Sequence, residues 1–150
     1  MNLSHNFTLD MLTRSETAKR KSIPNMPGPL ELDRLKVLCS TILEPLLQRY
    51  GAKMIVTSGY RSTELNRAIG GAKSSQHMKG EAADVVVAGV TPLTVCRWIE
   101  KNLRFDQLIH EYGDWTHVST ATKPRKEMLT CYKKAGKTVY VPGLIEIPKE

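Results

Sequence analysis

The sequence predicts an α+β fold, a small and mainly antiparallel β-sheet with helices packed on it. Three observations carry this expectation. Leu32, Leu35, Leu38, Ile42, Leu43, Leu46 and Leu47 recur at three- and four-residue steps, the mark of a helix with one apolar stripe. The short runs "KMIVTS" at 53–58 and "ADVVVAG" at 83–89 read as strands, the second of them buried. Helical and extended segments mix without the strict strand–helix–strand repetition of a parallel sheet. A chain of 150 residues has the length of one domain and can bury a core without staples.

The elements follow in order. "FTLDMLTRSETAKR", 7–20, gives one or two short helical turns, with Ser15 as a cap and Glu16 close behind it. His5 falls before them, in an expected loose terminus. "SIPNMPGPLEL", 22–32, holds three prolines and a glycine and reads as a loop. The best helix covers 30–49, where Pro45 either kinks it or starts a new turn. "STELNRAIG", 62–70, is a short helix capped by Ser62 or Thr63 and stopped by Gly70–Gly71. Thr91–Pro92 opens a helix to about 103, with the hydroxyl as cap and proline in the first turn. "FDQLIHEY", 105–112, and "WTHVST", 115–120, are strands joined by a short turn, and "KTVYVP", 137–142, is a last strand ended by Pro142.

The net charge of +7 favours contact with anionic polymers such as an anionic envelope or cell wall. The basic residues scatter over 14–21, 97–104, 123–126 and 133–137 without a recognition helix or zinc-finger spacing, so nucleic acid is not an expected partner. Cys39, Cys96 and Cys131 are an odd, widely spaced set and not a disulfide framework. Cys39 and Cys96 fall on apolar helix faces and read as core thiols, as expected of a chain made in a reducing cytoplasm. Residues 1–20 lack an apolar core, and neither a signal peptide nor a transmembrane segment is expected.

The chemistry concentrates around "SSQHMKGEAADVVVA", 74–88. Gly80 lets the chain turn sharply between His77 and Asp84, so a loop imidazole and a strand carboxylate can face each other. Both are good zinc ligands, and a structural ion-pair network with Arg61 uses the same residues. If residues 112–114 are the turn, Glu111 pairs with Trp115 and Ile109 with His117. Gln107, Ile109, Glu111, Trp115, His117 and Ser119 then share one sheet face, while His110 points to the other. That places Glu111 diagonally beside His117, a separation that suits a metal ligand and a base acting on water.

Ser75, His77, Gly80, Ala82 and Asp84 form the pattern Ser-x-His-x-x-Gly-x-Ala-x-Asp. With "TSGYRSTELN" before it and "WTHVS" after it, the chain resembles the M15 family of zinc peptidases. These are D-Ala-D-Ala carboxypeptidases and related peptidoglycan peptidases, phage endolysins among them, which share a metal-site fold with the hedgehog signalling domain. The likeness runs from about Phe7 to Ser119. It implies Zn2+ ligands at His77, Asp84 and His117, with a fourth position open. It also implies that Arg61 binds substrate or the developing oxyanion. Family members differ in the catalytic acid/base, which corresponds either to Asp114 or to Glu111; the strand register favours Glu111. Trp115 and Tyr60 are candidate cleft walls, and Ser75 and Gln76 are expected to shape the ligand loop.

The expectation is therefore one zinc peptidase domain over 1–150, with the metal-site core in about 53–120 and 121–150 unassigned. Its substrate is the peptidoglycan stem peptide, and its expected role is phage or prophage lysis. Such a monomer is made in the host cytoplasm and acts in the periplasm or wall after release. Trimming of terminal D-Ala and a non-catalytic virion or wall-binding role are the alternatives.

Overall fold

A computed structural model describes residues 1–149 of the protein. The helices are α1 Leu9–Thr13, α2 Glu16–Arg20, α3 Pro29–Leu38, α4 Glu44–Tyr50, α5 Thr63–Ala68 and α6 Pro92–Asn102. The strands are β1 Met54–Ser58, β2 Ala82–Val87, β3 Gln107–Glu111, β4 Trp115–Ser119, β5 Glu127–Lys134 and β6 Lys137–Pro142. They form one sheet in the order β1-β2-β4-β3-β5-β6. Every neighbouring pair is antiparallel except β3 and β5. This is the expected α+β arrangement. Among the described residues no helix is long and apolar enough to cross a membrane.

The sheet has one face for the core and one for the site. Ala83, Val85, Leu108 and Val118 point into a buried cluster with Leu35, Leu38, Ile42, Leu43 and Leu46 from the helices, and with Val95, Cys96 and Ile99 of α6. Each such leucine or isoleucine contributes about 1.5–3 kcal/mol by leaving water. All three cysteines are free and buried. The capping serines and threonine hold as read: Ser15, Ser62 and Thr91 accept from the backbone N–H groups of Ala18, Leu65 and Thr94.

Pro45 leaves a definite mark. Between α3 and α4 the helix widens into a π-turn at Cys39–Leu43, closed by the Glu44 N–H on the Cys39 carbonyl. Proline cannot donate to the carbonyl four residues back and its ring crowds that carbonyl. The wider turn absorbs the misfit while α3 and α4 stay joined. Ser40 and Thr41 hydroxyls bond back to the Lys36 and Val37 carbonyls in the same stretch.

Three expectations need correction. The amino-terminal segment is docked: Leu3 and Phe7 are buried, and Glu44 accepts from Ser4 Oγ at 2.6 Å and from the Asn6 N–H at 2.7 Å. His77 sits on a 3-10 turn, Gln76–Lys79, where a plain loop was expected. "EMLTCYKK" is a further strand, β5. Its two faces are similarly polar and its end is charged, so it lacks period-two contrast; pairing with β3 forms it.

Candidate functional site

Strand β2 supplies the first fixed point. Asp84 lies directly opposite His117 on β4 and opposite Ser58 on β1, so its carboxylate projects from the middle of the sheet. The valines that follow, Val85 and Val87, are buried and hold the strand in place. His77 comes in from the 3-10 turn. The Ser75 hydroxyl accepts the His77 N–H at 3.2 Å, and the His77 carbonyl accepts the Arg61 N–H at 3.1 Å. Gly80 ends the turn with φ +74°, and a methyl group there would collide with the Glu31 carbonyl of α3. Only glycine allows both the left-handed backbone and this close approach.

The three side chains meet. His77 Nε2 lies 3.4 Å from Asp84 Oδ1, and His117 Nδ1 lies 3.0 Å from the same oxygen. One ligand atom from each residue falls within 4.8 Å of the others, and all three residues are buried. His77 Nδ1 is 2.7 Å from the Gly59 carbonyl, which can only accept. Nδ1 therefore carries the proton, and in a neutral ring Nε2 presents a lone pair to the Asp84 carboxylate. A positive charge resolves this facing pair, either a bound cation or a second proton on the His77 ring. A tetrahedral zinc site with bonds of about 2.0–2.1 Å has edges of about 3.3–3.4 Å, close to the separations present. The donor set thus fits zinc.

Around this group stand the other expected residues. Arg61 Nη2 is 3.5 Å from Asp84 Oδ2, with Nε on Ser58 Oγ and Nη1 on Asn66 Oδ1. Burial works against the Asp84 charge, but His77 and His117 override it and hold the carboxyl below its ordinary range. Glu111 Oε1 lies 3.8 Å from His117 Nδ1. Burial, then the charge of Asp84, pushes the Glu111 carboxyl up to about 7, against the pull of His117 and Arg61. A divalent cation nearby lowers it again. The Trp115 indole N–H favours the ionised Glu111 without reaching full hydrogen-bond geometry, and it has no other acceptor.

The paired register is the one expected: Glu111 opposite Trp115 and Ile109 opposite His117. Asp114 is exposed in the turn and lies outside the cleft, whereas Glu111 lines it. His110 is on the other face, against the Ile145 carbonyl. Trp115 walls the cleft; Tyr60 instead packs on the core. Gln76 Nε2 reaches Asp106 Oδ2 at 3.0 Å and the Thr120 carbonyl at 3.3 Å, which braces the His77 turn.

The cleft holds about 480 Å³ and includes Gln107, expected on this face, together with residues that sequence reasoning missed: Arg125, Leu129 and Tyr140. Arg125 is tied to Asp106, with its Nη2 2.8 Å from Oδ2 and its backbone N–H 2.8 Å from Oδ1. The available signal was the Ala135–Gly136 turn before the strand 137–142, which suggests a hairpin partner over 127–134 that its own weak pattern does not reveal.

A buried His–Asp–His group at the floor of a cleft, with a glutamate and an arginine beside it, is the arrangement of a hydrolytic metal centre. The Peptidase M15 family model matches residues 5–119, and the chain belongs to that family of peptidases. M15 peptidases are generally zinc-dependent. No curated protein gives a significant match. The matched region stops at the end of β4, so β5, β6, Arg125 and Tyr140 lie beyond it.

Proposed function

We propose that the protein is a single-domain zinc peptidase that hydrolyses amide bonds in peptidoglycan stem peptides, as a phage or prophage lysis enzyme acting in the periplasm or wall. His77, Asp84 and His117 would hold the zinc. The observation that carries this is the convergence of His77 Nε2, Asp84 Oδ1 and His117 Nδ1 at the floor of the cleft, with the Gly59 carbonyl on His77 Nδ1 leaving Nε2 directed at Asp84. When bound, zinc lowers the pKa of water and polarises a carbonyl oxygen.

The chain's own groups do the rest. Glu111 Oε1, on the cleft side of His117, takes a proton from the attacking water and returns it to the departing amine. Its partial burial beside His117 and Asp84 keeps it out of bulk water at the point where the proton is moved. Arg61 keeps Asp84 aligned through Nη2 and presents guanidinium N–H groups to a substrate carboxylate or to oxyanion charge. Trp115, the cross-strand partner of Glu111, lines the cleft beside it and turns its indole N–H towards the carboxylate. The +7 charge supports approach to an anionic envelope.

Purified zinc-loaded protein incubated with peptidoglycan sacculi should release new amino termini, and chelation should abolish the release. Equal behaviour of loaded and chelated samples would remove the peptidase reading.

A further inference from the structure

The hairpin β5–β6 lies outside the matched region yet forms one side of the cleft. Its position follows from register. Ile109 pairs with Leu129, which pairs with Pro142; Glu111 pairs with Cys131, which pairs with Tyr140. Paired residues share a face, so Leu129 and Tyr140 stand on the same side of the sheet as Glu111 and His117. Neighbouring strands are about 4.8 Å apart, which puts the Tyr140 backbone about 10 Å from that of Glu111. The Tyr140 side reaches back into the cleft and lines it, although the residue is 57% exposed. Ile109, Leu129 and Tyr140 thus make a continuous apolar shelf beside the proposed base.

The rest of the cleft differs, since its lining includes the charged or polar Arg61, Gln76, Gln107 and Arg125. Ligand clefts are mostly apolar with a few placed polar groups, and an asymmetric one fixes which way a ligand lies. Leu129, Tyr140 and Ile109 line the same cleft as the His77–Asp84–His117 group, within reach of a peptide whose scissile carbonyl meets that group.

We infer that the β5–β6 hairpin is a specificity element, in which Leu129 and Tyr140 with Ile109 receive a small aliphatic side chain of the peptide next to the bond that is cut. This rests on the peptidase reading of the same cleft. The occupant is aliphatic because the shelf offers hydrocarbon and an aromatic face with no charge of its own. Variation on an added element outside the shared metal core is how one fold acquires a particular substrate.

The test uses zinc-loaded Glu111→Gln protein and isothermal titration calorimetry. The probes are the stem peptide L-Ala-γ-D-Glu-L-Lys-D-Ala-D-Ala and versions in which each alanine in turn is glycine. At one position the loss of the methyl group should weaken binding roughly tenfold. Tyr140→Thr and Tyr140→Val, both strand-forming, should each erase that difference, and Tyr140→Phe should keep it. Discrimination that persists in the Thr and Val variants, or is absent from the parent, overturns the shelf. Hydrolysis of the same peptides by the wild-type enzyme is followed in parallel. Tyr140-dependent binding without hydrolysis removes the peptidase reading and leaves the shelf standing.

Discussion

At the scale of single residues, the site depends on which groups can carry a proton and which cannot. Gly59 directs His77 Nε2 towards Asp84, and the strand register brings Glu111 within 3.8 Å of His117. Asp114, three residues before His117, is turned away into solvent. Glu111→Gln should therefore retain zinc, measured by inductively coupled plasma mass spectrometry, and lose about 10²–10⁴ in kcat. Asp114→Asn should stay within about threefold of wild type, since surface changes of this kind rarely matter. The reverse pattern would move the acid/base to the turn. This distinction was legible in the sequence because a three-residue turn and a period of two decide the facing of every residue from Gln107 to Ser119. What spacing left open was whether His77 and Asp84 face a cation or an ordinary ion pair. The convergence of His77, Asp84 and His117 supports the cation, and the orientation of the His77 ring comes from the Gly59 carbonyl, a backbone group with no sequence signal.

At the scale of elements, two supports position the His77 turn. The first is Gly80, pressed against the Glu31 carbonyl with φ +74°. Gly80→Ala adds both a disfavoured backbone and a collision, so urea denaturation should show a loss of about 1–3 kcal/mol together with weaker zinc binding. Undiminished stability and affinity would show that the turn tolerates displacement. The second is Asp106, which joins Arg125 to Gln76. The Arg125 hydrogen bond, opposed by burial, holds the Asp106 carboxyl below its usual range. A lowered folded-state pKa stabilises above the unfolded value near 3.9 and the gain is lost as pH falls through the folded value. Asp106→Asn should thus cost about 1–2 kcal/mol at pH 7, discounted because Arg125 is half exposed, and less as the pH falls below about 4. A cost independent of pH would assign the effect to packing. Gly80 could be read from the sequence as a turn. The Asp106 brace could not, because its partners lie 30 and 19 positions away and one of them precedes the unrecognised strand β5.

At the scale of the whole molecule, one six-stranded sheet carries a packed face and a working face. The apolar stripe from Leu32 to Leu47 and the strands "MIVTS" and "AADVVV" announced the packed face. The working face was only partly visible: the half with His77, Asp84 and His117 lies in the family region, while β5 and β6 extend it with residues that carry no motif. Their contribution becomes visible only when β5 pairs with β3 in parallel, a long-range choice that local pattern does not specify. On the proposed function, His77, Asp84 and His117 would hold a zinc beside which Glu111 drives cleavage of peptidoglycan stems. Mass spectrometry of muropeptides released from sacculi tests it most directly. Zinc-loaded wild-type protein should yield fragments cut within the stem, and zinc-loaded Glu111→Gln should yield none. Loss of a single terminal alanine would make the enzyme a carboxypeptidase, and identical profiles from both proteins would contradict the account.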